Sequence, residues 1–161
     1  MQPNIPKHLE ARLAAIKVLV VDDDHHMRKV VRTMLNTIGV KHVHEAGDGA
    51  TGLDAVRQFT PDIVFVDWEM PMIDGMQFIR MVRSPGSFPV PDVPIIMLTG
   101  HADRWRVLEA ARIGVHEYLL KPVSTKSLLE RITAVLLKPR KTGGGARPEE
   151  AEKSDDILVL R

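Results

Sequence analysis

Short apolar runs that end abruptly at a polar residue recur along the sequence, and this recurrence limits the fold more than anything else in it. Lys17-Val18-Leu19-Val20-Val21 runs into Asp22-Asp23-Asp24. Ile63-Val64-Phe65-Val66 runs into Asp67, and Pro94-Ile95-Ile96-Met97-Leu98 into Thr99. His116 to Leu120 runs into Lys121-Pro122, and a weaker run covers Val40 to Ala46. Short β-branched runs without polar alternation predict strands covered on both faces. Helical spacing fills the gaps. Met27, Val30, Val31, Met34, Leu35 and Ile38 form one apolar face that stops at Gly39. Ala50–Phe59, Gly75–Arg83 and Asp103–Ile113 read as three more helices, the last with a thin apolar face. Ser124 caps a fifth, with Leu128, Leu129, Ile132, Val135 and Leu136 facing inward. Strands alternating with helices, joined by right-handed crossovers, give an α/β fold: a doubly wound five-stranded parallel sheet with five helices.

In such sheets the site lies beyond the carboxyl ends of the strands. The chemically distinctive residues stand there: Asp22 and Asp23, Asp67, Thr99 and Lys121. Carboxylates held close together raise one another's pKa and cost stability unless a cation enters. Hard oxygen donors with room for water suit Mg²⁺, with Mn²⁺ as a substitute. A carboxylate beside a divalent cation, a lysine and a hydroxyl is a good phosphoryl acceptor, because positive charge then meets the equatorial phosphoryl oxygens.

Composition closes off other classes. The 161 residues contain no cysteine, which excludes disulfides, thiolate metal sites and cysteine nucleophiles and fits a reducing, cytoplasmic setting. A net charge of +1 offers no field for nucleic-acid binding. No apolar run approaches the ~20 residues of a membrane helix, and the first residues lack a signal-peptide pattern. Residues 1–15 read as a polar extension in which Leu9, Leu13 and Ile16 allow a turn or two of helix. Residues 139–161, rich in Gly, Pro and charge, read as a flexible tail ending in Ile157-Leu158-Val159-Leu160. About 24 residues after the last helix are too few for an output domain, so a stand-alone unit is expected.

The segments VLVVDDD at 18–24, DIVFVDWEMPMIDG at 62–75, PIIMLTG at 94–100 and EYLLKP at 117–122 resemble the response-regulator receiver domain, across roughly 16–138. Each segment alone is moderately specific; their order and spacing at strand ends make the joint match strong. The resemblance implies a flavodoxin-like fold. It also implies that Asp67 is the phospho-acceptor, that Asp23 ligates Mg²⁺ directly with Asp22 helping through water, and that Glu69 offers a backbone carbonyl to the metal. Thr99 matches the switch hydroxyl, Tyr118 the switch aromatic, and Lys121 the lysine that pairs with the acceptor. Lys121–Pro122 matches a cis peptide bond. Glu69, Gly100 and His101 stand where the family tunes the phosphate's lifetime; the small Gly100 predicts an open pocket, and for Glu69 no direction is assigned. The implied partners are a histidine kinase or phosphotransfer protein and a downstream protein of unknown identity. A phosphorylation-dependent homodimer is compatible with the sequence but written in no residue.

Several residues have plainer readings. Asp24 reads as an N-cap. Lys41, His42 and His44 read as solvent-facing, Trp68 and Trp105 as loop and surface aromatics. The long SPGSFPVPDVP loop is expected to bear on partners rather than on chemistry. Two other function classes remain: a phosphatase or phosphotransferase acting on a small substrate, and an interaction module indifferent to phosphorylation. The first lacks an acid/base aspartate two residues past Asp67, where only Glu69 stands. The second predicts a degraded pocket, and the motif is complete.

Overall fold

The computed structural model of the protein describes residues 3–101 and 103–137. The elements follow one another as α1 (Lys7–Ala15), β1 (Lys17–Val21), α2 (His25–Thr37), β2 (His42–Ala46), α3 (Gly49–Phe59), β3 (Ile63–Asp67), α4 (Gly75–Arg83), β4 (Ile95–Thr99), α5 (Arg104–Arg112), β5 (Glu117–Leu120) and α6 (Thr125–Leu137). The five strands form one parallel sheet in the order β2-β1-β3-β4-β5. Both faces are covered, as the unbroken apolar runs require. Leu19, Val21, Val64, Val66, Ile95 and Met97 pack toward α3, α4 and α5. Val18, Val20, Ile63, Phe65, Ile96 and Leu98 pack toward α1, α2 and α6.

Local chemistry sets the helix starts. Asp24 accepts from the Met27 N–H, as expected of an N-cap, and Asp48 accepts from Thr51. Asp74 and Gln77 form a reciprocal capping box at the start of α4. Ser124 accepts from the Ser127 N–H at 3.1 Å.

The expected count of five helices is corrected to six among the described residues. The turn or two of helix allowed by Leu9, Leu13 and Ile16 is a nine-residue helix, packed through Leu9 and Leu13. Both are buried: Leu9 at 6% exposure and Leu13 fully, in the core beside Val31, Leu35 and Ile132. The tail expected at 139–161 lies outside the described residues. The proline-rich loop is tied down by its own chemistry. Phe88 and Val93 are buried, and Arg57 stacks over the Phe88 ring at 4.2 Å. Arg83 donates to the Pro91 carbonyl at 2.7 Å and, through its other arm, to the Gly114 carbonyl at 2.7 Å. Lys41, His42 and His44 are exposed as expected. No described helix is long and apolar enough to cross a membrane.

Candidate functional site: an acidic pocket at the carboxyl edge of the sheet

Strand register assembles the site. Val21 stands opposite Val66, so the residues that follow them, Asp22 and Asp67, are neighbours. Asp67 pairs with Leu98, which brings Thr99 one step further along the same edge. Thr99 in turn pairs with Leu120, which places Lys121 next. Four residues far apart in sequence thus meet because four apolar runs end in step. The pocket they line, about 360 Å³ in volume, also includes Asp23, Asp24, Glu69, Gly100 and His101. A larger, mainly apolar groove of about 660 Å³ between α1 and α6 shares no residue with it.

Asp22 and Asp67 are buried, at 0% and 6% exposure, while Asp23 is exposed. One carboxylate oxygen from each lies within 4.8 Å of the other two. The Lys121 ammonium sits 2.9 Å from Asp67 Oδ1 and 3.5 Å from Asp22 Oδ2. Two buried carboxylates therefore share one ammonium. Burial pushes the Asp67 carboxyl up to about 6, against the pull of the Lys121 hydrogen bond and with the Asp22 charge adding to the rise. Burial raises Asp22 as well, opposed by the Asp24 backbone N–H and Lys121. Burial alone would lower Lys121, but the hydrogen bond it donates to Asp67 and the charge of Asp22 outweigh it and hold it above its usual value.

Donor chemistry fits a hard divalent cation. All three donors are carboxylate oxygens, and the cluster carries more negative charge than Lys121 neutralises. Asp22 Oδ2 is buried and accepts no hydrogen bond, with the Lys121 ammonium 3.5 Å away, so it retains capacity for a bound ion.

The expected switch residues adjoin this cluster. Thr99 is buried, and its hydroxyl oxygen accepts from the His101 backbone N–H at 3.1 Å. Tyr118 is fully buried and donates its hydroxyl to the His101 carbonyl. Burial pushes this phenol up to about 12, so it remains a donor across the working pH range. The Lys121–Pro122 peptide is cis. A methyl group at Gly100 would meet nothing within 4 Å, so the pocket is open there. Glu69, at the mouth, turns its carboxylate to His101, with Nε2 and Oε1 2.8 Å apart.

Two residues missed or misjudged in the sequence support the site. Trp68, expected as a loop aromatic, is only 8% exposed. It meets the Tyr118 ring edge-on at 6.4 Å, and Arg106 lies over its face at 5.1 Å. The backbone folds back here, Gly75 donating its N–H to the Trp68 carbonyl at 2.9 Å. Trp105 is 62% exposed, as expected of a surface aromatic. Arg28 was not singled out. Its guanidinium donates to the Asp22 carbonyl at 2.6 Å, and no periodic signal marks such a contact. Gly75 is fixed by close approach: a Cβ there would lie 2.5 Å from the Asp67 carbonyl oxygen.

A doubly wound parallel sheet thus gathers three carboxylates, a lysine and a threonine at its carboxyl edge. Residues 18–133 match the family model of the response regulator receiver domain, and the chain belongs to that family. Chemotaxis protein CheY-3 of Vibrio cholerae is 32% identical over 120 residues, covering 74% of this chain and 91% of that protein. Chemotaxis protein CheY of Pseudomonas aeruginosa is 33% identical over 120 residues, covering 74% and 95%. Among solved structures, the chemotaxis response regulator CheY4 of Vibrio cholerae superposes with a TM-score of 0.68 at 30% identity, covering 74% of this chain and 98% of that one. A Francisella response regulator receiver domain gives a TM-score of 0.68 at 28% identity, over 74% and 95%.

Proposed function

We propose that this receiver domain takes a phosphoryl group onto Asp67 from the phospho-histidine of a histidine kinase or phosphotransfer protein, and that a protein partner reads the result. The observation that carries this reading is the Asp67 carboxylate, buried at the end of the central strand between two further aspartates and the Lys121 ammonium at 2.9 Å.

In the transfer, the phosphorus–nitrogen bond of the donor imidazole breaks and a phosphorus–oxygen bond to an Asp67 carboxylate oxygen forms. The imidazole leaves with the electron pair of the broken bond. Asp22, Asp23, Asp67 and the Glu69 carbonyl are the groups that would hold Mg²⁺ or Mn²⁺, which when bound supplies positive charge to the phosphoryl oxygens. Lys121, already oriented by Asp67, adds a second positive charge from the protein. Thr99 carries the hydroxyl that turns to the phosphoryl group, and this frees the His101 N–H it now accepts from. Tyr118 is held by the His101 carbonyl, so both switch residues act on the same stretch of backbone. The surface formed by α5, β5 and α6 is the one this stretch controls. The phosphoryl group biases an equilibrium through its different contacts in the two states.

The protein acts as the recipient of the group rather than as a turnover enzyme. Glu69, the only acid two residues past Asp67, is engaged by His101 instead of standing free for acid/base work. The test is incubation with acetyl phosphate, with and without Mg²⁺, read by intact mass. One added phosphoryl group that requires Mg²⁺ is the expected result, with no turnover of a phosphomonoester. Labelling that ignores Mg²⁺, or steady phosphomonoester hydrolysis, would overturn the reading.

A further inference from the structure

The Asp23 carboxylate is exposed and accepts no hydrogen bond from the described residues, so the protein steers it only through the backbone from which it springs. That backbone is the peptide joining Asp22 to Asp23. Its oxygen accepts a charge-assisted hydrogen bond from Arg28 Nη1 at 2.6 Å. The guanidinium is itself held. Nε donates to Glu45 Oε1 at 3.2 Å, and Nη2 lies 3.1 Å from His25 Nδ1. Its terminal nitrogen lies against Gly47, where a Cβ would meet it at 3.4 Å, in ordinary contact. Arg28 and Glu45 are both mostly buried, at 15% and 12% exposure. Glu45 also receives Lys29 at 3.0 Å and Arg32 at 2.9 Å, which pins the carboxylate from three sides.

We propose that Arg28, braced by Glu45, is the positioning residue for the metal-binding aspartates: it fixes the Asp22–Asp23 peptide and thereby the direction in which Asp23 meets a divalent cation. The inference rests on the proposed metal role of this pocket. Arg28 suits the task because a planar fork holds two acceptors at fixed angles. A lysine is a point charge and holds one. Groups that orient metal ligands typically change metal affinity by about tenfold or more when removed.

The test uses the full chain with Arg28→Gln, Arg28→Lys and Arg32→Gln. Mg²⁺ affinity is read by competition with Mn²⁺, with free Mn²⁺ counted by electron paramagnetic resonance, and thermal unfolding is followed in chelator. The Mg²⁺ dependence of labelling by acetyl phosphate is the third readout. Arg28→Gln is expected to raise the Mg²⁺ Kd about tenfold and to move the Mg²⁺ midpoint of labelling equally. The labelling rate at saturating Mg²⁺ stays within about twofold of wild type, because the aspartates themselves remain. Arg32→Gln takes a different cation from Glu45 without touching the peptide, and its Kd stays within about twofold. Arg28→Lys keeps the charge, preserves the unfolding temperature and still loses severalfold in affinity, which decides the matter should the glutamine variant unfold. An unchanged Kd in folded Arg28→Lys and Arg28→Gln overturns the inference, as does an equal rise in Arg32→Gln. Wild-type protein that binds no Mg²⁺ overturns the metal role itself; wild-type binding with unaltered Arg28 variants overturns the positioning role alone.

Discussion

Lys121, at the end of β5, reaches past the intervening strand β4 to place its ammonium 2.9 Å from the Asp67 carboxylate at the end of β3. One lysine thus links Asp67 to the strand that carries Tyr118. Lys121→Ala is expected to slow labelling of Asp67 by acetyl phosphate without abolishing it, because the carboxylates remain. The conformational response of α5 and β5, read from backbone amide NMR shifts, should fall much further. A full response in the labelled variant would remove Lys121 from the switch.

Asp67 carries a stability cost that removal should reveal. Its carboxyl is raised to about 6 in the folded protein, against 3.8 unfolded. Between those values the folded state keeps the proton longer, so stability falls as pH rises through that interval and stays lower above it. Asp67→Asn should therefore stabilise the metal-free protein at pH 7.5 by on the order of 2 kcal/mol. The gain should nearly vanish near pH 3.5, where the folded state is protonated and the unfolded state mostly so. Urea unfolding in chelator at the two pH values checks this; a gain independent of pH would contradict it.

Close approach makes a different demand at Gly75. A Cβ there would lie 2.5 Å from the Asp67 carbonyl oxygen and 2.9 Å from Trp68 Cα, both backbone atoms that cannot swing aside. Gly75→Ala is expected to cost about 1–3 kcal/mol and to slow labelling by displacing the end of β3. Gly100→Ala, whose methyl meets nothing within 4 Å, should change stability by no more than about 0.5 kcal/mol. Paired denaturant melts separate the two.

The N-terminal helix belongs to the packed structure. Leu13 is fully buried among residues of the sheet, α2 and α6. Leu13→Ala should cost about 2–5 kcal/mol, the range for emptying a core leucine site. A denaturant midpoint unchanged from wild type would show that α1 contributes no core.

The central strands were legible in the sequence because each is an unbroken apolar run that stops at a chemically distinct residue. The edge strand was less so. Val40 and Lys41 read as its start, but pairing begins at His42, opposite Lys17, because one side of an edge strand faces water and the run loses its contrast. Asp22, Asp23, Asp67, Thr99 and Lys121 could be brought together on paper since strand ends share one edge. Trp68 could not be placed, because the groups against its ring, Tyr118 and Arg106, lie far along the sequence. Arg28 and Arg131 were invisible for a related reason. Arg131 is buried in α6, 3.6 Å from Glu117 of β5, yet helical spacing alone cannot tell a buried arginine from a surface one.

The central claim is that Asp67, and no neighbouring group, receives the phosphoryl group. The most direct measurement is peptide-level mass mapping of protein labelled by acetyl phosphate in Mg²⁺, after borohydride reduction of the acyl phosphate to mark its carbon. The account predicts one reduced site, at Asp67, and no label in Asp67→Asn. A reduced site at Asp22 or Asp23, or full labelling of Asp67→Asn by intact mass, would contradict it.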